Sequence, residues 1–407
     1  MPTLEEIRSR FPQLQEKVYG KPLVYLDNAA TSLRPVDVIS KWDGLSSKLS
    51  SNLHRAVHFT ANKATQEFED TRVAAASFIG ADSPEEIVFT SGTTHSINLL
   101  AFSLGEMEGF FKPGDEIIIG EAEHHSNILP WQFLAKRKGL KIKVLPITDK
   151  GFPALDKLPE LLSPQTRICC IAQVSNVLGI INPVKKIADL CHANGTLLVV
   201  DGAQGIVHCK TDVKALGADF YAFSGHKLYA APGTGVLWGR RELLEKMPPY
   251  MGGGEMIGTV KWAESTFAPV PHKFEAGTQN IAGIPTLKPA FNLADELFET
   301  PYTEEVKLYL LKELPQIPGL RLYGVPDNPA DKVPLFSFTV EGAHHEDLAL
   351  ILDKMGIAVR SGQMCAEPLM DRFGVTGMLR ASFAPYNGPA DAEYFTNSLK
   401  KAINMLV

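Results

Sequence analysis

The segment that decides the fold of this chain is 218-ADFYAFSGHK-227, an apolar, strand-like stretch that breaks at a glycine and presents Lys227. A second such stretch, 197-LLVV-200, ends in Asp201, and Gln204 follows shortly after it. Functional groups collect at the carboxyl ends of the strands in a parallel sheet. The two stretches are therefore predicted to bring an aspartate and a lysine to the same rim.

Together with Ser224 and His226, these residues indicate a cofactor. A single aspartate after a strand is more often a helix cap than a catalytic group. A lysine opposite a buried carboxylate, however, supplies what pyridoxal phosphate needs, namely an amine that bonds to the cofactor and an anion for its pyridinium nitrogen. A buried lysine also loses its charge readily, which suits a nucleophilic amine. The pattern therefore favours a pyridoxal phosphate site.

Short β-branched runs alternate with longer segments of helical period over most of the chain. The strand candidates are Glu86–Phe89, Glu116–Ile119, Lys141–Leu145, Arg167–Ala172, Leu197–Val200, Asp219–Phe223 and Gly235–Trp238. The helix candidates between them include Thr94–Phe102, Asn127–Lys138 and Pro183–Ala193. This alternation predicts an α/β fold, in which a mainly parallel sheet is flanked by helices.

The pattern changes after Thr278. A long helical stretch is followed by an alternating strand and another helix, which predicts a smaller α+β domain. The candidate elements are a helix over Leu287–Phe298, a strand over Leu335–Val340 and a helix over Asp347–Met355. We place the boundary near residue 285, with a large cofactor-binding domain over 20–285 and a small domain formed by 1–19 and 286–407.

Composition and charge narrow the class of protein. The 407 residues are 45% hydrophobic and 21% charged, which is ordinary for a globular enzyme. The net charge of -6 and the lack of a basic run argue against nucleic-acid binding. Neither a secretory signal nor a membrane span is predicted, so a cytoplasmic protein is expected. The five cysteines show no Cys-x-x-Cys spacing, so neither a disulfide framework nor a metal site is predicted.

Two further motifs follow strand candidates on the same rim. The segment 90-TSGTTHS-96 opens a helix, where small residues let backbone N–H groups approach an anion. Thr93 and Thr94 are therefore candidate phosphate ligands, although the motif taken alone also fits an ordinary capped helix. A lone histidine in a segment such as 123-EHHSN-127 is more often a helix cap or a packed ring, but beside a planar cofactor His124 would stack on it and exchange protons above it.

The segments 199-VVDGAQ-204 and 223-FSGHK-227 resemble the cofactor motifs of the class V aminotransferase family. The resemblance is greatest to the SUF-type (group II) cysteine desulfurases and the selenocysteine lyases, and it runs nearly from end to end. Its other motifs are 25-YLDNAAT-31, 52-NLHR-55, 123-EHH-125, 174-VSNVLG-179, 274-FEAGT-278, 360-RSG-362 and 379-LRAS-382. The resemblance implies the fold type I of pyridoxal phosphate-dependent transferases.

The resemblance also implies roles for the residues of the rim. Lys227 would bind the cofactor covalently, Asp201 would hold its ring nitrogen and Gln204 its ring hydroxyl. His124 would stack on the ring. The phosphate ligands that it implies are Thr93, Thr94, Ser224, His226 and, from a second subunit, Thr278. That last role implies a homodimer.

A substrate site follows from the same resemblance. Arg380 would clamp the substrate carboxylate as a planar fork. Asn176, Arg360 and His54 are the further substrate ligands that it implies.

Cys365 is the candidate nucleophile. It lies in the polar, glycine-bearing loop 360-RSGQMCAEP-368, a setting that favours a reactive thiol. In the family that this chain resembles, the cysteine at this position attacks the substrate sulfur and carries it away as a persulfide. Many relatives have two histidines before this cysteine, whereas this chain has Gln363 and Met364.

The leading hypothesis is a cysteine desulfurase that converts L-cysteine to L-alanine and leaves a persulfide on Cys365. A sulfur-acceptor protein of the SUF system would collect the sulfur for iron–sulfur cluster assembly. A selenocysteine lyase acting on L-selenocysteine is the alternative with the same fold and cofactor. An aminotransferase, or a non-catalytic scaffold, is less favoured because Cys365 or Lys227 would then have no role.

Overall fold

The structure, a computed structural model, describes every residue from Met1 to Val407. Its helices are α1 (Leu4–Ser9), α2 (Val36–Lys48), α3 (Phe59–Phe78), α4 (Thr93–Glu106), α5 (Leu129–Lys138), α6 (Leu158–Leu161), α7 (Val184–Ala193), α8 (Gly205–His208), α9 (Val213–Leu216), α10 (Arg241–Lys246), α11 (Leu287–Phe298), α12 (Tyr302–Glu313), α13 (His345–Lys354), α14 (Glu367–Phe373) and α15 (Pro389–Leu406). None of these helices combines the length and the apolar character that crossing a lipid bilayer requires.

The strands form one large sheet, one smaller sheet and three short pairs. They are β1 (Lys17–Val18), β2 (Lys21–Pro22), β3 (Val24–Tyr25), β4 (Ile87–Thr90), β5 (Glu116–Gly120), β6 (Lys141–Leu145), β7 (Thr166–Ala172), β8 (Leu197–Asp201), β9 (Phe220–Ser224), β10 (Gly235–Gly239), β11 (Ile257–Val260), β12 (Ser265–Phe267), β13 (Leu320–Tyr323), β14 (Leu335–Val340), β15 (Ile357–Ala358), β16 (Arg360–Gly362) and β17 (Met378–Ser382). The seven strands predicted for the large sheet are confirmed, with ends that differ by no more than one residue.

The large sheet has the strand order β4-β10-β9-β8-β7-β5-β6. The five strands from β6 to β9 pair in parallel, as the alternation of strands and helices predicts. Both faces of the sheet are buried, because alternate residues of one strand enter opposite cores. Cys170 and Val199 face the core that contains Trp131, whereas Cys169 and Val200 face the other. This explains why the strands read as unbroken apolar runs.

One strand of the large sheet runs against the rest. β10 pairs antiparallel with both β9 and β4. Only residues 225–234 separate β9 from β10. A crossover to a parallel strand needs about a dozen residues or more, so the chain turns back instead. This short connection is the segment that carries Lys227, and the reversal keeps the lysine at the rim.

The smaller sheet has the order β13-β14-β17-β16 and is antiparallel throughout. Helices α12, α13 and α15 cover one face of it. Their apolar side chains, such as Leu310, Leu352 and Phe395, share a core with Phe336 and Leu379 of the sheet. The predicted strand and helices of this region are present.

Two segments pack differently from the predicted division at residue 285. The apolar face of α11, which includes Leu287 and Phe291, lies in the core of the large sheet, and Phe291 stacks on Phe78 of α3. Ile7 and Phe11 of the N-terminal segment lie in the same core. The apolar side chains of α11 recur at helical spacing and so form one face of the helix. This face packs against α3. We therefore propose a boundary after α11 rather than before it.

Candidate active site

The carboxyl ends of the parallel strands open onto a cavity of about 220 Å³. The register of the sheet aligns Ala172, Asp201 and Ala222 across β7, β8 and β9. Groups just beyond these residues therefore share one rim. Strands β16 and β17 and the loop after β16 close the cavity from the side of the smaller sheet.

Lys227 ends a single 3₁₀ turn, Gly225–Lys227, that directly follows β9. Burial lowers the pKa of Lys227 to about 8, and the nearby Asp201 carboxylate opposes that shift. Burial also raises the pKa of Asp201, against the effects of a hydrogen bond from Ala203 and of the charge on Lys227. The Lys227 amine is thus much closer to its neutral, nucleophilic form at neutral pH than an exposed lysine is.

Asp201 and Gln204 are held by the backbone around them. Asp201 Oδ1 accepts a hydrogen bond from the backbone N–H of Ala203 at 2.8 Å. Gln204 Nε2 donates to the carbonyl oxygen of Ala29 at 2.7 Å, which fixes the side-chain amide. Gln204 Oε1 is buried and has no hydrogen-bond partner. This oxygen is therefore a hydrogen-bond acceptor with a fixed orientation and no donor.

The N-terminus of α4 forms another wall of the cavity. The Thr93 backbone N–H donates to Ser224 Oγ at 2.8 Å, and the two hydroxyl groups lie 2.8 Å apart. Thr94 Oγ1 lies 2.7 Å from Ser126 Oγ. Gly92 precedes the helix with φ of 145°, and a Cβ atom there would lie 3.1 Å from Ser224 Oγ. Hydroxyl groups and first-turn N–H groups at a helix N-terminus suit a phosphate.

Two histidines of the cavity are held neutral. Burial, aided by the charge of Lys227, lowers the pKa of His124 to about 3. His124 Nδ1 accepts from the Ser126 N–H at 3.0 Å, so the proton of the neutral ring is on Nε2. Burial and Lys227 likewise lower the pKa of His226 to about 4. Both rings can therefore exchange or donate hydrogen bonds without adding positive charge.

Arg380 is the buried cation of the cavity, with 3% of its surface exposed. Its NH1 group donates to the carbonyl oxygen of Asn176 at 2.8 Å, and its NH2 group lies 3.3 Å from Asp27 Oδ1. Arg360 stands directly opposite Arg380 across the β16–β17 pair and lies 3.6 Å from the other Asp27 oxygen. The Asp27 carboxylate thus reduces the repulsion between the two arginines. Arg380 Nε, however, has no hydrogen-bond partner.

Cys365 is exposed at the mouth of the cavity. The loop that carries it is attached to the large sheet by two contacts. The His125 N–H donates to the Cys365 carbonyl oxygen at 2.8 Å, and Asn176 Nδ2 donates to the Met364 carbonyl oxygen at 2.8 Å. The thiol is therefore presented on an anchored loop, in the same cavity as Lys227.

Most of the residues predicted for the site lie together. Those that line the cavity are Lys227, Asp201, Gln204, Thr93, Thr94, His124, Ser224, His226, Asn176, Arg360, Cys365 and Arg380. Two do not. Thr278 is exposed outside it, and His54 lies beside a different hollow, with Nε2 3.0 Å from Glu69 Oε1. The roles of all these residues stay predictions.

Three residues of the arrangement were missed by sequence reasoning. Asp27 bridges the two arginines, Ser126 pairs with Thr94, and His125 holds the cysteine loop. Each lies in a motif that the sequence analysis quoted, but only the fold shows which partner it meets.

The residues present fit pyridoxal phosphate. A buried polar atom without a partner costs about 1–3 kcal/mol, and the unpaired atoms Gln204 Oε1 and Arg380 Nε both belong to residues that line the cavity. Gln204 offers an acceptor for a ring hydroxyl, Asp201 a carboxylate for a ring nitrogen, and the start of α4 a seat for a phosphate. The amine of Lys227 completes the set.

Comparison with known proteins agrees with this geometry. The sequence profile of the family described as Aminotransferase class-V matches residues 24–395. A probable cysteine desulfurase of Vibrio cholerae is 42% identical over 100% of both chains. A cysteine desulfurase of Dickeya dadantii is 45% identical over 94% of this chain and 93% of its own length.

Solved structures agree as well. The cysteine desulfurase CsdA of Escherichia coli, in an S-sulfonic acid form, superposes with a TM-score of 0.89 at 38% identity, covering 100% of both chains. The apo structure of a cysteine desulfurase from Thermococcus onnurineus NA1 gives a TM-score of 0.93 at 36% identity, covering 100% of this chain and 99% of that one. The fold and the full-length matches lead to one conclusion: this chain belongs to the class V aminotransferase family of pyridoxal phosphate-dependent enzymes.

Proposed function

We propose that this protein is a cysteine desulfurase, which converts L-cysteine to L-alanine and transfers the sulfur to Cys365. One observation carries the proposal, namely that Lys227, Arg380 and Cys365 line one cavity. An amine for the cofactor, a cation for the substrate carboxylate and a thiol for its sulfur are the three groups that this reaction needs. An aminotransferase would have no use for the thiol.

The cofactor would be held by residues of the large sheet. Lys227 would bind it, Asp201 would hold its ring nitrogen, and Gln204 Oε1 would accept from its ring hydroxyl. The phosphate ligands would be Thr93, Thr94, Ser224 and His226, around the N-terminus of α4. His124 would stack on the ring. When bound, pyridoxal phosphate supplies an electron sink for charge that develops at the substrate Cα.

The substrate is oriented by its carboxylate. Arg380 is fixed at two of its nitrogens by Asn176 and Asp27, so it presents the remaining donors in a set direction. A carboxylate that accepts from Arg380 Nε satisfies the buried atom that otherwise has no partner. Arg360, which is exposed, adds positive charge at the entrance.

Lys227 moves the proton of the substrate. As a free amine, Lys227 would be able to accept the proton from the substrate Cα, because burial lowers its pKa. His124, which is neutral with its proton on Nε2, exchanges protons on the substrate side of the ring.

Cys365 takes the sulfur. Its thiolate attacks the substrate sulfur, so that a sulfur–sulfur bond forms and the Cβ–sulfur bond breaks. The electron pair of the broken bond stays with the carbon, which takes up a proton and becomes the methyl group of alanine. The sulfur is thereby oxidised to the persulfide level and the carbon reduced by the same amount, with no external reductant. The products are L-alanine and the Cys365 persulfide.

The setting of the enzyme belongs to the same proposal. A cytoplasmic homodimer passes the persulfide sulfur to an acceptor protein of the SUF system for iron–sulfur cluster assembly. Thr278 is exposed in its own chain and would complete the phosphate site of the second subunit. The exposed apolar side chains Val57, Phe59 and Trp262 support a protein interface. The molar mass in solution, measured by light scattering, tests the dimer.

The function is tested by incubating the holoenzyme with L-cysteine and a thiol acceptor, and by measuring alanine. We expect Cys365→Ser to lose nearly all activity, while Cys209→Ser, a half-buried cysteine outside the cavity, keeps it. Undiminished alanine release by Cys365→Ser would contradict the proposal. A keto-acid acceptor in place of the thiol acceptor tests the aminotransferase alternative, for which we expect no turnover.

A further inference from the structure

The loop that carries Cys365 has an unusual backbone. Met364 and Cys365 both lie in the left-handed region, with φ of 54° and 55°, and Gly362 has φ of 106°. A residue other than glycine in this region costs roughly 1–3 kcal/mol and persists only where the surroundings enforce it. Two such residues in succession, one of them the candidate nucleophile, therefore call for contacts that hold the loop in place.

His125 makes two of these contacts, both at the C-terminal end of the strained pair. Its backbone N–H donates to the Cys365 carbonyl oxygen at 2.8 Å. Its ring Nε2 accepts from the backbone N–H of Glu367, the first residue of α14, at 3.1 Å. The ring thus satisfies a helix N-terminal donor that has no partner within the helix. His125 therefore holds the chain at Cys365 and at Glu367, while the hydrogen bond from Asn176 to the Met364 carbonyl oxygen holds the residue before the cysteine.

The two attachments join separate parts of the molecule. His125 begins the 3₁₀ turn His125–Asn127, which follows β5 and His124 at the rim of the large sheet. The Cys365 loop instead leaves the smaller sheet after β16. The position of the thiol relative to the cofactor residues is therefore set by a contact between the rim and the loop.

The residue before the cysteine cannot replace this contact. Met364 turns its side chain into an apolar cluster with Met370 and Met378, and only 7% of its surface is exposed. Gln363 is bonded to Glu367 on the surface, at 3.2 Å from Nε2 to Oε1. Neither Gln363 nor Met364 offers an imidazole, so the imidazole that contacts this loop is that of His125.

We propose that His125 is a positioning residue, whose ring fixes the Cys365 thiol at the cavity for attack on the substrate sulfur. The inference deepens the proposed function and rests on it. Misplacement of a reacting group by about 1 Å can cost on the order of 100-fold in rate. Loss of the ring contact should therefore slow the step that uses the thiol and leave the cofactor site unchanged.

The test uses three variants of the full-length holoenzyme. His125→Leu removes the ring acceptor, and His125→Gln restores an acceptor of similar reach. His344→Leu is the matched control, because His344 Nδ1 accepts from the Glu346 N–H at the start of α13 at 3.3 Å, far along the chain from the cavity. The backbone contact of His125 is present in every variant.

The first readout compares two substrates. A selenol leaves carbon more easily than a thiol, so alanine formation from L-selenocysteine depends less on attack by Cys365. We expect His125→Leu to lower kcat with L-cysteine by about tenfold or more, and to change alanine release from L-selenocysteine by less than about twofold. His125→Gln should recover most of the loss. An equal fall with both substrates, or no fall with L-cysteine, would overturn the inference.

The second readout does not need turnover, so it separates this inference from the proposed function. Alkylation of Cys365 by iodoacetamide, followed by mass spectrometry, should become several-fold faster in His125→Leu and stay unchanged in His344→Leu. The absorbance of the bound cofactor should be the same in all variants. If the wild type forms no persulfide but alkylation still responds to His125, the proposed function fails alone. If alkylation does not respond, the positioning role is wrong.

Discussion

Burial shifts the pKa values of Lys227 and Asp201 towards their neutral forms, and the charge of each residue opposes the shift of the other. Burial lowers the pKa of Lys227 to about 8 and raises that of Asp201, so each residue would be less charged without the other. The consequence is an amine that is partly neutral at physiological pH before any cofactor is bound. An exposed lysine, with an ordinary pKa near 10.4, would be almost wholly protonated there.

The first prediction concerns the rate at which the apoprotein binds pyridoxal phosphate. Only the neutral Lys227 amine attacks an aldehyde, so the loading rate should rise about tenfold between pH 6.5 and pH 8 and then level off. The Asp201 carboxylate raises the pKa of Lys227, so Asp201→Asn should move the midpoint to lower pH. Stopped-flow absorbance of the bound cofactor gives both midpoints. A wild-type midpoint near pH 10 would contradict this account.

The second prediction concerns Arg380. Arg380→Lys keeps the charge but loses the planar fork and the contacts to Asn176 and Asp27. A charge-assisted hydrogen bond is worth about 1.5–3 kcal/mol, so kcat/KM for L-cysteine should fall about 10–100-fold. Arg360→Lys is the control, since its side chain is half exposed. An effect of Arg360→Lys that equals or exceeds that of Arg380→Lys would place the carboxylate elsewhere.

Among the helices and strands, the start of α4 restricts the choice of residue most strongly. Gly92 has φ of 145°, and a Cβ atom would press on Ser224 Oγ at 3.1 Å. Gly92→Ala should therefore destabilise the protein by roughly 1–3 kcal/mol and weaken retention of the cofactor. Gly44→Ala in α2 is the matched control, because no atom lies within 4 Å of its Cβ position.

That control should act in the opposite direction. Alanine in the interior of a helix is favoured over glycine by roughly 0.5–1 kcal/mol. Denaturant midpoints and cofactor dialysis distinguish the two variants. If Gly92→Ala binds the cofactor as tightly as Gly44→Ala does, the start of α4 does not form the phosphate seat.

The strands of the large sheet show how much of the fold could be predicted from the sequence. The strands were predictable because buried parallel strands are apolar on both faces, and the rim followed from the carboxyl ends of those strands. β10 runs antiparallel because its connection to β9 is short. A prediction of this direction needs strand boundaries that are accurate to one or two residues. The alternation alone did not indicate it.

The rest of the site depends on contacts between distant segments. Asp27 meets Arg360 and Arg380 only because β16 and β17 pair and the N-terminal segment lies beside them. His125 meets the cysteine loop across 240 residues of chain. No local pattern encodes such pairs. His54 and Thr278 show the converse, since motifs that match a family do not say which cavity a residue faces.

At the scale of the whole molecule, Lys332 joins the segment before β14 to the loop after β7. Its amine is buried and donates to the carbonyl oxygen of Leu178. Burial lowers its pKa to about 7, and the charge of Lys307 adds to the shift. The unfolded chain therefore binds a proton that the folded protein lacks between about pH 7 and the ordinary lysine pKa near 10.4. Stability from this group rises with pH through that window and is lowest below it.

Lys332→Met removes that titration. The free energy of unfolding of the variant, relative to that of the wild type, should be about 2 kcal/mol higher at pH 6.5 than at pH 9. The lost hydrogen bond to Leu178 counts equally at both pH values, so it does not contribute to this difference. Urea unfolding at the two pH values measures the difference. Lys400→Met, an exposed lysine on α15, is the control and should show no such change. Equal differences at both pH values for Lys332→Met would contradict the buried, titrating amine.

The active site lies where the two sheets meet. The large sheet supplies the residues that we propose for the cofactor, and the smaller sheet and the loop after β16 supply Arg380 and Cys365. Substrate binding and sulfur transfer therefore both depend on how these two parts are joined. We propose that this junction places the Cys365 thiol within reach of the substrate sulfur.

Mass spectrometry of the protein after a single turnover with L-cysteine tests this placement of the thiol. We expect one added sulfur atom on the peptide that contains Cys365, formed in step with L-alanine and removed by a reducing thiol. Cys169, Cys170, Cys191 and Cys209 should carry none. Alanine formed at the normal rate with no added sulfur on Cys365, or with the sulfur on another cysteine, would contradict the account.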